Sequence, residues 1–240
     1  MAKSSGLGDA LYVDGYNLSG DINSLSRIST SRAALDFTAI DKTGFERLGG
    51  LKDGGIDFVS YFNSAAGQAH LDLSLLPTTD VQVAYFRGTT VGNKAAATVA
   101  KLVGYDPTRG ADGSLTLATS AQSNGFGLEW GVMLTAGRQT DTSATNSTGL
   151  DQTAGTTQGA QAYLQVFSFT GTSCTVTVED STDNISFASL IGFTAATGRT
   201  TERKAVSGTV DRYVRIATTG TFSSCVFAVM FKRNKIVTVF

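Results

Sequence analysis

Alternation of apolar and polar residues runs through most of this 240-residue chain, and it limits the possible folds more than any other feature. Turn-forming residues interrupt it at short intervals, as at Asp14 and Gly15, which separate ALYV from YNLS. A period of two places every second side chain on one face of a strand. The pattern therefore predicts an all-β, antiparallel architecture.

One short helix is predicted within this β pattern. It begins after Asn63, which is a good N-cap residue, and it ends before Pro77. Its apolar face has spacings of three and four residues and consists of Ala66, Ala69, Leu73 and Leu76. Residues 94–102 (KAAATVAKL) also favour a helix by composition, but they lead into a turn at 110–113 and an alternating strand at 114–120. We therefore predict a hairpin for that region.

A polar stretch divides the chain into two predicted domains. Residues 139–159 contain almost no large apolar side chains and are interpreted as a linker. The prediction is a β-sandwich or barrel domain over 1–138 and a small β-sandwich over 160–240. The second core is predicted to contain Leu164, Val166, Phe167, Val176, Val178, Phe187, Val214, Ile216, Phe227 and Val229.

Charge and composition exclude several classes of function. The net charge is −1 and charged residues make up 16% of the chain, so no global basic field is available to hold nucleic acid. The chain begins without an apolar leader and has no apolar run of about 20 residues, so we expect synthesis in the cytosol and no membrane span.

Residues suited to metal or redox chemistry are scarce. His70 is the only histidine, and Cys174 and Cys225 cannot complete a zinc site by themselves. Both cysteines are expected to be reduced thiols. No cofactor or metal site is predicted.

Carboxylates are scattered, and no nucleophile motif such as GxSxG is present. Two carboxylates could meet in space as a glycosidase pair, with Asp36 and Asp57 as the residues to test. Solvated turns and strand edges explain them better, so no catalytic residue and no enzyme activity are predicted.

The segment 45–55, FERLGGLKDGG, combines two glycine pairs with charged residues. It lacks the GK[ST] sequence of a phosphate-binding loop, and the β-branched and aromatic residues of 56–62 follow it where such a loop needs a helix. We interpret it as a turn that enters a strand.

The order of motifs over residues 8–135 resembles the major tail proteins of long-tailed bacteriophages, which build the tail tube. The resemblance rests on GGLKDGGIDFVSYFN, a short helix, VQVAYFRG, and a long hairpin that continues through DGSLTLATSAQSNGFGLEWG. It implies a virion structural protein whose copies form stacked hexameric rings through which viral DNA passes without tight binding. It also implies assembly in the host cytoplasm, and contacts with the tape measure, terminator and distal tail proteins.

Two sets of residues follow from this resemblance. An inter-subunit loop is expected to use Phe45, Arg47, Leu51, Lys52 and Asp53, with the glycines allowing a sharp turn. Residues expected to face a neutral or acidic tube lumen are Asp36, Thr38, Thr116, Ser120 and Gln122. A solvated surface turn remains open for the first set. The alternative function is a capsid decoration protein or fibre-like adhesin whose C-terminal domain binds a glycan.

Overall fold

The computed structural model describes residues 5–236, which form an antiparallel all-β fold, as predicted from the alternation. Within that range α1 (Ala69–Leu73) is the only helix. No helix among these residues is long and apolar enough to cross a membrane. In chain order the strands are β1 (Ala10–Val13), β2 (Tyr16–Asn17), β3 (Ile22–Asp36), β4 (Arg47–Tyr61), β5 (Val81–Phe86), β6 (Lys94–Arg109), β7 (Leu115–Ser123), β8 (Glu129–Met133), β9 (Gln139–Asp141), β10 (Leu150–Asp151), β11 (Ala160–Ser181), β12 (Ala188–Gly192), β13 (Thr200–Val206) and β14 (Tyr213–Arg233).

The chain divides into two compact units, and each combines separate stretches of sequence. Of the described residues, unit 1 contains 5–20, 82–97 and 130–236. Unit 2 contains 21–81 and 98–129. These unit boundaries fall inside or beside strands. No polar stretch of sequence marks them.

Unit 1 is built around two long strands that pair along almost their whole length. Ala160 of β11 lies opposite Arg233 of β14, and at the other end Ser181 lies opposite Tyr213. Strands β12 and β13 pair with β11, whereas β8, β9 and β10 pair with β14. The buried apolar cluster of this unit includes Leu164, Val166, Val176, Val178, Val214, Ile216, Phe227 and Val229, as predicted. Phe167 and Phe187 are only partly buried.

The predicted domain boundaries differ from the structure. Residues 139–159 are not a free linker, because β9 and β10 lie within them and pair with β14. Residues 5–20 belong with the C-terminal part: the Gly15 amide donates to Gln165 Oε1 at 2.6 Å, and the Tyr12 and Phe167 ring centres are 4.8 Å apart. Backbone hydrogen bonds hold β9 and β10, so these strands need few apolar side chains.

Unit 2 contains a four-stranded sheet with the order β3, β4, β7, β6. Its buried face carries Ile56, Phe58, Leu117 and Ala121, while the alternate residues face outward. The β6–β7 hairpin is present as predicted, and Gly113 in its turn has a φ of 91°.

The helix is shorter than predicted. Asn63 does not cap it; its side-chain oxygen accepts from the Ala65 amide at 3.1 Å and stabilises a separate turn. Gly67 then has a φ of 74°, which excludes the first predicted turn from the helix. Only five residues, beginning at Ala69, remain helical.

Candidate assembly surface

The expected inter-subunit loop is a long two-stranded hairpin. Strand β4 pairs with β7 only as far as Gly55, opposite Gln122. The residues from Arg47 to Gly54 pair with β3 alone. At about 3.3 Å per residue, this ribbon extends roughly 26 Å beyond the sheet. We call residues 30–53 the hairpin arm; only 37–46 at its end are irregular.

The glycines of this segment do not form a sharp turn, which corrects the sequence interpretation. Gly49, Gly50, Gly54 and Gly55 all lie within β4, and none has a positive φ. A Cβ on Gly54 would lie 2.5 Å from the Ser29 carbonyl oxygen and 2.9 Å from the Leu128 nitrogen. Gly54 therefore permits two backbone segments to approach closely at the base of the arm.

The arm exposes large apolar side chains on both of its faces. Leu35 lies opposite Leu48, and both side chains are about half exposed. Leu51 is 86% exposed and Phe45 is 72% exposed, so Leu51 does not anchor the arm to its own chain. Phe37 and Ile40 add to this surface near the tip. At roughly 200 Å² for each fully exposed side chain, the six offer on the order of 800 Å².

Charged residues of the arm lie in a defined register. Arg47 lies opposite Asp36, and its guanidinium sits 4.4 Å from the centre of the Phe45 ring. Lys52 lies opposite Arg32, so two cations face each other across the ribbon. Asp53 accepts a hydrogen bond from the Gly54 amide at 2.7 Å.

Three of the five expected lumen residues share one surface. Thr116, Ser120 and Gln122 lie on the outward face of β7, and the intervening residues of that strand are directed into the core or its edge. We call the outward face of the β3–β4–β7–β6 sheet the polar face. Strand alternation was sufficient to place these three residues together.

Asp36 and Thr38 do not lie with the other three. They are at the end of the arm, where Asp36 Oδ1 accepts from the Thr38 hydroxyl and amide. These hydrogen bonds lower the pKa of Asp36. Asp36 is also far from Asp57: its partner Arg47 is ten residues along β4 from Asp57, or roughly 33 Å. The two carboxylates cannot act as a glycosidase pair within one chain, since such pairs are about 5–10 Å apart.

Cations on the polar face have carboxylate partners. Arg27 Nε lies 2.7 Å from Asp57 Oδ2, and the Ser120 hydroxyl donates to the other Asp57 oxygen at 2.7 Å. Lys101 Nζ lies 2.8 Å from Asp80 Oδ1. The sequence interpretation did not identify these pairs, because their members are 21–30 residues apart and only strand register brings them together.

The histidine and the two cysteines are packed against other side chains of the fold. His70 Nδ1 is hydrogen-bonded to the Tyr105 hydroxyl, and its ring lies 4.4 Å from the Phe62 ring. Cys174 and Cys225 are unpaired by any disulfide and fully buried in the unit 1 core. The hydrogen bond with Cys174, together with burial, raises the pKa of the Cys225 thiol.

No protein-family model matches this sequence, and no curated protein is significantly similar to it. Among solved structures, the chain is similar to a protein in the virion of a native gene transfer agent particle. The identity is 14% over 53% of this chain and 98% of that chain, with a TM-score of 0.41.

Two further similarities cover more of this chain. The Dit protein of phage SPP1, described as a paradigm of the hub adsorption apparatus in phages that infect Gram-positive hosts, is 13% identical. The similarity covers 94% of this chain and 99% of that one, with a TM-score of 0.34. A protein of the phage p2 baseplate, in its activated conformation with Sr, is 8% identical over 95% of this chain and 99% of that one, with a TM-score of 0.36. At these TM-scores the likenesses decide neither fold nor function, so the proposed function rests on this chain's own residues.

Proposed function

We propose that this chain is a structural protein of a bacteriophage virion whose copies form hexameric rings that stack into the tail tube. The hairpin arm is the observation that supports this most strongly. Six large apolar side chains are exposed on one projecting ribbon, and about 800 Å² is the area that each partner contributes to a standard protein interface. The order of motifs that resembles major tail proteins includes the arm and the sheet from which it extends.

An open strand edge supports association through sheets. Among residues 5–236, β4 is the only strand partner of β3, so the other edge of Ile22–Asp36 has backbone groups that a neighbouring strand could pair with. Such edges promote aggregation unless they are covered, and a closed ring of subunits covers them. Phe45, Arg47, Leu51, Lys52 and Asp53 are the arm residues that we assign to contacts between copies.

The polar face is assigned to the tube lumen through Thr116, Ser120 and Gln122. A wall that conducts DNA must not hold phosphates, because every Lys or Arg contact adds counterion-release affinity. Pairing of Arg27 with Asp57 and of Lys101 with Asp80 agrees with this requirement. The role extends to contacts with other tail proteins and to passage of viral DNA without tight binding.

Negative-stain microscopy of the purified full-length protein tests the proposal. We expect six-membered rings or tubes at concentrations where sedimentation velocity shows assembly. Persistent monomers or isolated trimers would contradict it. Trimers that give a signal on a glycan array would favour a decoration protein or adhesin.

A further inference from the structure

Three cations on the hairpin arm, Arg32, Arg47 and Lys52, form no ion pair with a carboxylate among residues 5–236. Arg47 contacts the Phe45 ring. Arg32 and Lys52 are both exposed and lie directly opposite each other. Like charges in this position destabilise a pair of strands. Arg27 and Lys101 of the same unit each contact a carboxylate. Arg32 and Lys52 are therefore available to an acidic group on another molecule, whereas Lys42 of the arm is paired with Glu46.

The arm as a whole has four cations and four acids, so the positive charge of Arg32 and Lys52 is local. The other end of the same sheet has a net negative charge. We call residues 106–114, which surround the turn between β6 and β7, the β6–β7 tip. Asp106 and Asp112 are exposed there and outnumber the single cation, Arg109. Asp112 accepts hydrogen bonds from the Ser114 amide at 3.0 Å and from the Ser114 hydroxyl at 2.7 Å. These bonds lower its pKa, so Asp112 is ionised at neutral pH.

Strand direction places the arm and the tip at opposite ends of unit 2. The arm begins beyond Gly55, whereas Tyr61 at the other end of β4 lies opposite Thr116, next to the turn. When one surface of a molecule binds a different surface of an identical molecule, the contact is head-to-tail. Such a contact can repeat from copy to copy without limit.

We propose that the hairpin arm of one copy docks on the β6–β7 tip of the next copy, with Arg32 and Lys52 against Asp106 and Asp112. The inference rests on the proposed function and specifies how successive rings meet. The exposed apolar side chains of the arm supply contact area, and the charges set the direction of stacking.

Charge reversal with rescue tests this docking. Arg32→Glu with Lys52→Glu keeps two like charges opposite each other, so cross-strand repulsion within the arm is unchanged. The arm and the tip then repel, and we expect the association constant of assembly, measured by sedimentation velocity, to fall about tenfold or more. Asp112→Asn, whose amide oxygen still accepts from Ser114, should weaken assembly less. Adding Asp112→Lys to the double variant restores opposite charges and should restore tubes.

A matched control separates local charge from net charge. Lys94→Glu with Lys235→Glu makes the same change in net charge at exposed positions of unit 1, and it should leave assembly unchanged. The docking would be overturned if the double variant forms tubes as readily as the wild type, or if adding Asp112→Lys does not restore them. Either result would leave the tube proposal intact. Wild-type protein that stays monomeric would overturn both.

Discussion

Replacing Gly54 with alanine tests how the arm is attached to its sheet. The added Cβ would lie 2.5 Å from the Ser29 oxygen, 2.8 Å from the Leu128 Cβ and 2.9 Å from the Leu128 nitrogen. Two of these three atoms belong to the backbone and cannot rotate away. Overpacking of this kind typically costs about 1–3 kcal/mol, whereas a tolerated Gly→Ala change gains about 0.4–1 kcal/mol. We therefore expect Gly54→Ala to lower the free energy of unfolding by about 2 kcal/mol.

Gly44→Ala is the matched control, because a Cβ there meets nothing within 4 Å and the residue has no positive φ. Thermal unfolding followed by circular dichroism should show a decrease of about 4–8 °C for Gly54→Ala and no decrease for Gly44→Ala. Hydrogen exchange should increase in the peptides that contain Ser29 and Leu128. Equal midpoints for the two variants would refute the idea that close backbone approach requires glycine at position 54.

Three further predictions concern other parts of the molecule. Asp57→Asn leaves Arg27 unpaired on the polar face, so duplex DNA binding measured by fluorescence anisotropy should strengthen. The slope of the logarithm of the binding constant against the logarithm of salt concentration should be steeper by about 1. Asp112→Asn has the same net charge, and an equal increase in that variant would contradict the local effect. Burial raises the pKa of Tyr12 to about 12, above its usual value of about 10. Tyr12 therefore ionises first in the unfolded chain, and the free energy of unfolding should fall as the pH rises from about 10 to about 12. Tyr12→Phe should reduce this fall in urea titrations, and an unchanged pH dependence would contradict it. Both cysteines should resist alkylation in the native protein and react fully after denaturation, and an unalkylated mass lower by two hydrogen atoms would show that they are not reduced thiols.

Sequence alternation predicted the strands well where one side of each strand is buried. Thr116, Ser120 and Gln122 share one face, because the buried residues Leu117 and Ala121 fix the parity of β7, and the assignment of that face to a lumen stays a prediction. The hairpin of β6 and β7 was also predicted, although the composition of 94–102 favours a helix. In both cases tertiary burial determines the strand, and burial leaves a periodic signal in the sequence.

The arm could not be predicted in the same way. Most residues of β3 are exposed, so Ile22–Asp36 shows no regular alternation and gives no local signal of a long strand. The glycines of β4 suggested a turn, yet the close approach that they allow depends on Leu128, more than seventy residues away. The pairing of Arg27 with Asp57 likewise depends on register across two strands. Neither close approach of distant backbone segments nor register between strands can be predicted from a short stretch of sequence.

The interleaving of the two units has a consequence for synthesis on the ribosome. All of unit 2 has been made once Glu129 is added, but unit 1 needs β11 and β14, and β14 ends at Arg233. At about 5–20 residues per second, the intervening chain takes roughly 5–20 s to synthesise. Unit 2 can fold during that interval. During the same interval Phe167, which contacts the Tyr12 ring in the folded protein, has not yet been made. Apolar side chains of the first strands are therefore exposed to solvent and can bind chaperones or aggregate.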